Sequence, residues 1–390
     1  MTGEIPGVLK YVATRLLQGV LLLAVFLALI YLLLDAQPGD ITLQLTSNPD
    51  LPPEAQQIAR ERLGLDKPLL GRTVTYVTNF FRGDLGFSFT QYPRTVGSLI
   101  MEKLPRTILL FLSATILSYF LGFALGKVMA WRRGRTVETG LTLGGVAGYT
   151  VFYPWFAILM LWFWGFQAGL FPIGKFIDVE EWTAAPMAAN RVFMRMLASL
   201  AILTLVVGAV YAISRRIPQE RGERVRKIGI PLVFLGFVAF WWFSPLRPFA
   251  ADIAHHTILP VLTLASVQFA GVMLLTRASM LETLKEDYIL TARAKGLSQR
   301  AIRNKHAARN ALLPVVTSLV LALSFVIGGG ILTEGTFSWP GLGLQLLDAT
   351  LVEDIPLATG TLGVIGIIAL IGHLISDVLY MYLDPRIRTS

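Results

Sequence analysis

Residues 287–314, DYILTARAKGLSQRAIRNKHAARNALLP, form a basic hydrophilic stretch held between two long apolar runs. Arg293, Lys295, Arg300, Arg303, Lys305 and Arg309, with Lys285 just ahead, are spaced among alanines, so helix is favoured on both sides of the one glycine, Gly296. Gly296 permits a bend that a Cβ would resist, and the Ser298 hydroxyl is placed to cap a second helix. Thr291, Ala292 and Ala294 keep one surface of the first helix small enough to lie in a groove. A short, bent, basic helix pair at a membrane face has the form of a docking handle for a partner protein.

The flanking runs set the fold class. With 54% hydrophobic residues, 15% charged residues and a mean hydropathy of +0.62, the chain has the composition of an integral membrane protein. Eight stretches are long and apolar enough to cross a hydrocarbon core, which takes about 20 helical residues. They lie near 12–34, 107–130, 139–165, 195–213, 228–245, 258–276, 313–333 and 358–382. Lipid offers backbone groups no partners, and nothing here alternates like a barrel strand, so each span is expected to be helical. The expectation is an all-α polytopic bundle with a small external cap over residues 35–103.

The first span starts among Lys10 and Arg15 and ends at Asp35 without a small-residue cleavage pattern, and is read as retained. An inside N-terminus makes residues 131–135, 214–227 and 277–310 cytoplasmic, along with both chain ends. Those segments hold 21 of the 34 Lys and Arg residues, as the positive-inside rule requires. The net charge of +9 therefore reports orientation and affinity for anionic lipid and a cytosolic partner, and no nucleic acid is expected.

Catalytic signals are lacking. Without cysteine there are no disulfides, thiol nucleophiles or thiolate ligands. His255, His256, His306 and His373 show no metal-ligand spacing. Residues 122–127, GFALGK, are one residue short of a phosphate-binding loop, and Val128 replaces its hydroxyl residue, so Gly122 and Gly126 read as a small-xxx-small packing face. Arg82-Gly83-Asp84 is ordinary turn chemistry.

The pieces TARAKGL and HAARNALLP resemble the EAA loop of ABC importer permeases, in the form of the oligopeptide and dipeptide branch. The leading Glu-Ala-Ala is reduced to Leu290-Thr291-Ala292, and Leu313-Pro314 comes later than in the general consensus, as in that branch. Further pieces follow in order: Pro38-Gly39-Asp40, Gly64 to Leu69, Gly83 to Ser88, Leu104 to Thr107, GGGILTEGTFSWPGLG at 328–343 and YLDPRIR at 382–388. The resemblance, of which these pieces are the markers, extends over roughly 300 of the 390 residues and leaves out 176–250.

The resemblance implies a non-catalytic permease subunit of the cytoplasmic membrane, moving peptides by alternating access. Implied partners are a second homologous permease, two cytosolic ATPases that hold ATP and Mg, and an external solute-binding protein; this chain itself binds no cofactor or metal. The ATPase would grip Tyr288, Thr291, Ala292, Arg293, Ala294, Lys295, Gly296 and Leu297. The expected domains are 1–34 (first span), 35–103 (cap), 104–175 (core), 176–250 (a two-span insertion turning six spans into eight) and 251–390 (core with the coupling loop 285–314). Trp182, Trp241 and Trp242 near the insertion's ends read as membrane-interface residues. Glu334 either faces the translocation path, beside Gly328, Gly329 and Gly330, or is an exposed end residue. The glycine triplet serves close packing or flexing, and Asp377 and Asp384 pair with Arg386 or Arg388 or cap the last helix. Another solute, such as a nickel chelate or an oligosaccharide, stays open, as does a membrane scaffold or lipid-modifying enzyme.

Overall fold

Backbone groups in lipid must be satisfied within their own segment, and the described residues are helical almost throughout. The computed structural model describes residues 5–35, 52–63, 66–325 and 330–383. Its helices are α1 (Ile5–Asp35), α2 (Pro53–Leu63), α3 (Leu69–Phe81), α4 (Val96–Trp131), α5 (Thr136–Thr150) and α6 (Tyr153–Met160), which runs on as a π-helical turn over Leu161–Gln167. There follow α7 (Ala189–Arg216), α8 (Gln219–Trp242), α9 (Arg247–Thr283), α10 (Asp287–Ala294) and α11 (Gln299–Ala301). A wide turn over Ile302–Ala307 leads to α12 (Ala308–Phe325), and then come α13 (Ile331–Thr336), α14 (Leu342–Leu351) and α15 (Ile355–Leu383). One isolated antiparallel bridge, Phe87 with Thr95, closes the loop before α4.

Among the described residues seven helices are long and apolar enough to cross a membrane: α1, α4, α7, α8, α9, the α11–α12 run and α15. The expected span at 139–165 is instead two helices bent by 106°. Val151 and Phe152 are extended there, and Pro154 sits in the first turn of α6, where proline starts a helix rather than continuing one. The span expected at 313–333 is likewise divided, since Gly330 is extended and α13 is separate. At about 1.5 Å per residue, the 36 residues of α4 and 37 of α9 outreach a hydrocarbon core of roughly 30 Å.

The chain divides into two compact units, 163–259 and the remainder, so the former is wider than the expected insertion of 176–250. In the larger unit, α4 and α9 approach closely through Gly122 and Gly126. A Cβ on Gly122 would stand 2.6 Å from Val272 Cβ, and one on Gly126 would stand 2.6 Å from the Met273 carbonyl oxygen. Leu23 and Leu27 of α1 bury against Phe80 of α3, and Tyr31 stacks on Tyr76 at 5.2 Å. Asp354 opens α15 by accepting from the Leu357 N–H at 3.2 Å. It also accepts from the Thr90 N–H and hydroxyl, at 3.1 and 2.8 Å, and from the Ser88 hydroxyl, which ties the loop after Gly83 to the last helix. Asp377 of α15 pairs with Arg15 of α1 at 3.4 Å, which replaces the pairing expected nearer the C-terminus; Asp384, Arg386 and Arg388 lie outside the described residues.

In the smaller unit, α7 and α8 form a helical hairpin whose most apolar windows bury nothing inside the chain, as lipid-facing helices would. The Trp241 indole N–H donates to Ser199 Oγ at 3.1 Å, and Arg247 lies over the Trp242 ring at 3.6 Å. Asp252 accepts from the Trp182 indole at 2.7 Å and from the Asp178 N–H at 3.1 Å, and His256 Nδ1 lies 3.0 Å from its other carboxylate oxygen. His255 turns elsewhere, to the Leu170 carbonyl at 2.8 Å.

Candidate functional site

The handle predicted around Gly296 is a fastened elbow. Helix α10 is only eight residues long, too short to hold its shape by propensity alone, and its support comes from burial. Ile289 and Ala292, one turn apart, point into a cluster with Met280, Ile302, Ala307, Ala308, Ala311 and Ala130. Ile289 is fully buried and Ala292 nearly so. Ala292 therefore faces the chain's own core, which corrects its expected place on the outer surface. Tyr288, Leu290, Thr291, Arg293 and Ala294 are exposed. Helical periodicity separates the two faces, because positions three apart share one.

The elbow turns at Gly296, whose φ is +72°. The Gly296 N–H donates to the Arg293 carbonyl at 2.9 Å and the Leu297 N–H to the Ala292 carbonyl at 3.3 Å, the paired closure of a Schellman ending. Lys295 is the last residue before the turn, and its N–H donates to Thr291 O at 3.0 Å. Ser298 then caps the next helix, its hydroxyl accepting from the Ala301 N–H at 3.3 Å. Leu297 is left 40% exposed and Leu290 55% exposed, an apolar pair beside the charged Arg293 and Lys295.

Three further contacts brace this end, and charge counting assigned none of them. The Asn310 amide donates to the Tyr288 hydroxyl at 2.7 Å. Arg303 lies over the Trp131 ring at 5.7 Å. Arg277 donates to Glu138 Oε1 through Nε at 2.8 Å and also through a terminal nitrogen, while the other oxygen of Glu138 accepts from the Gly134 N–H at 2.6 Å. The turn WRRGR thus carries contacts as well as positive charge.

Glu334 is not an exposed end residue, for the structure leaves it no accessible surface. Its carboxylate accepts from the Thr107 hydroxyl at 2.7 Å and from the Leu344 N–H at 3.0 Å. The Thr107 oxygen in turn accepts from the Leu342 N–H at 2.8 Å, and the Trp339 indole donates to the Arg106 carbonyl at 3.3 Å. A Cβ on Gly341 would overlap the Glu334 carboxylate, and one on Gly330 would stand 2.8 Å from Phe111 Cζ. Both glycines serve close approach, and Glu334 is the buried centre of a knot joining α4, α13 and α14. Gly328 and Gly329 lie outside the described residues.

Known proteins match this chain along its length. Residues 228–389 match the family described as binding-protein-dependent transport system inner membrane component. The oligopeptide transport system permease protein AppB of Bacillus subtilis is 28% identical over 378 residues, covering 97% of this chain and 99% of its own. The di/tripeptide transport system permease protein DppB of Pseudomonas aeruginosa is 30% identical over 382 residues, 97% and 99% of the two chains. The dipeptide transport system permease protein DppB of Escherichia coli is 30% identical over 353 residues, 90% of each. The similarity thus reaches further than the sequence pieces around the elbow and knot, and it removes the scaffold and lipid-enzyme readings. The chain belongs to the binding-protein-dependent transport inner-membrane family, as a multi-span permease of its oligopeptide and dipeptide branch.

Proposed function

We propose that this chain is one permease of an ATP-driven importer of short peptides, with both termini cytoplasmic. It works beside a second homologous permease, is driven by two cytosolic ATPases that hold ATP and Mg, and receives its solute from an external binding protein. The names of the relatives support the peptide, and the Lys and Arg asymmetry supports the orientation. The observation that carries the coupling is the two-faced elbow: α10 is exposed on one side and anchored on the other by Ile289 and Ala292 among the ends of α4, α9 and α12. An ATPase that gripped Tyr288, Thr291, Arg293, Ala294, Lys295 and Leu297 would move a body already fixed to spanning helices. Closure of the ATPases would then shift those helices instead of being absorbed in a loop.

Purification from detergent under native expression tests the assembly; Walker-motif subunits should copurify. Gly296→Pro and Arg293→Glu should abolish uptake and substrate-stimulated ATPase activity while membrane insertion persists, and normal coupling in both would overturn the elbow's role. Uptake of labelled dipeptide that unlabelled peptides fail to compete away would point to a different solute.

A further inference from the structure

The outer part of the larger unit contains a pocket that neither the elbow nor the knot uses. Its volume is about 320 Å³, and Thr90, Lys103, Leu344, Gln345, Asp348 and Leu357 are among its lining residues. That size falls at the small end of ligand pockets, roughly 300–1,000 Å³. Its charges are not spent on each other. Glu102, the acid next to Lys103, is already taken by Arg94 at 2.5 Å and Arg106 at 3.3 Å. Lys103 itself is half-buried, and among the described residues neither it nor the Asp348 carboxylate forms a hydrogen bond or ion pair. Lys103 and Asp348 line the same cavity. Gln345 is 8% exposed and commits its amide nitrogen to Thr361 Oγ at 3.0 Å, which leaves its carbonyl oxygen as an acceptor. One cation, one anion and one acceptor thus share a cavity with apolar walls.

We infer that this pocket recognises the free termini of a short peptide, with Lys103 taking the carboxylate and Asp348 and the Gln345 carbonyl taking the ammonium. The inference rests on the peptide-importer reading and gives that solute a place on this subunit. Charged hydrogen bonds at both ends of a small ligand give selectivity that apolar contact alone does not.

The test uses the assembled permease–ATPase complex in nanodiscs, without the binding protein, and reads peptide contact by saturation-transfer NMR. The probes are Leu-Ala, its N-acetyl form and its C-terminal amide. Each blocked form should bind about tenfold more weakly than Leu-Ala, the loss of one charged hydrogen bond. Lys103→Met should bring Leu-Ala down to the level of the amide without changing the amide, and Asp348→Asn should do the same for the N-acetyl form. Lys103→Arg should keep the binding, and size-exclusion chromatography shows that each complex assembles. Equal weakening of free and blocked peptides, or none, overturns the pocket. Dipeptide uptake by the complete wild-type system checks the parent reading separately: uptake with unaltered binding in the variants removes the pocket alone, and no peptide uptake removes both.

Discussion

Replacing Gly296 by alanine isolates what the backbone contributes to the elbow. No heavy atom lies within 4 Å of the point where a Cβ would stand, so packing does not oppose the change. The φ of +72° does. A non-glycine residue in the left-handed region costs about 1–2 kcal/mol, and that lowers the ratio of formed to frayed elbow by roughly 5–30-fold. Asparagine tolerates the region better, so Gly296→Asn should cost less than Gly296→Ala. Gly296→Pro should cost more than either, because it reverses φ and removes the N–H that donates to Arg293. Hydrogen exchange over residues 287–300 of the assembled transporter should therefore rank protection as Gly, Asn, Ala, Pro, and substrate-stimulated ATPase activity should follow the same order. Alanine protected as well as glycine would refute the reasoning, since it would mean that α10 holds its place without the left-handed turn.

Three other perturbations probe the anchors. Ile289→Ala removes the largest α10 side chain in the buried cluster and should cost about 2–5 kcal/mol locally, seen as ATPase activity that no longer responds to substrate; intact coupling would show that α10 is held by something else. Gly341→Ala should destabilise the outer knot by pressing on the Glu334 carboxylate, and Glu334→Ala should relieve part of that loss, giving a coupling of about 0.5–3 kcal/mol in a double-mutant cycle followed by Trp fluorescence on heating; strict additivity would disconnect the two residues. Gly126→Val must push α4 from α9 against the Met273 carbonyl and should lower stability by about 1–3 kcal/mol, whereas Gly140→Ala, inside α5 with open space around it, should raise stability by about 0.4–1 kcal/mol through helix propensity; a loss at Gly140 similar to that at Gly126 would argue against close packing as the reason for Gly126.

What was legible in the sequence follows from which forces act locally. The spans and the small-residue face at Gly122 and Gly126 could be read because lipid imposes length and hydropathy on each segment separately. The turn at Gly296 and the cap at Ser298 are also local, each set by hydrogen bonds reaching a few residues. The direction of Ala292 was not legible, because its size suits a groove and a core equally, and the choice depends on α4, α9 and α12 arriving behind it. Glu334 was harder still. Its hydroxyl partner, Thr107, is 227 residues away, and the return of the chain onto the carboxylate depends on Ser338 at φ +48°, a conformation its residue type does not announce. The break in the span at 139–165 had a local sign in Pro154, but an apolar run on both sides outweighed it.

The elbow and the knot differ in how they are tied, and one helix takes part in both. Most of the elbow's cluster comes from residues 280–311, a short contiguous stretch, with Ala130 added from α4. The knot holds Thr107 of the same helix through the Glu334 carboxylate and the Leu342 N–H. From Thr107 to Ala130 is 23 residues, about 35 Å of helix at 1.5 Å per residue. The one proline inside α4, Pro105, precedes Thr107, so no proline interrupts the length between the two sites, and Gly122 and Gly126 are braced against α9 along the way. A rod pinned at both ends transmits displacement along its axis better than a loop of the same reach, because its backbone hydrogen bonds must break before it bends. If α10 is the coupling element proposed above, movement there that carried Ala130 with it would act on Thr107, and through Thr107 on the α13–α14 turn that borders the pocket lined by Lys103 and Asp348.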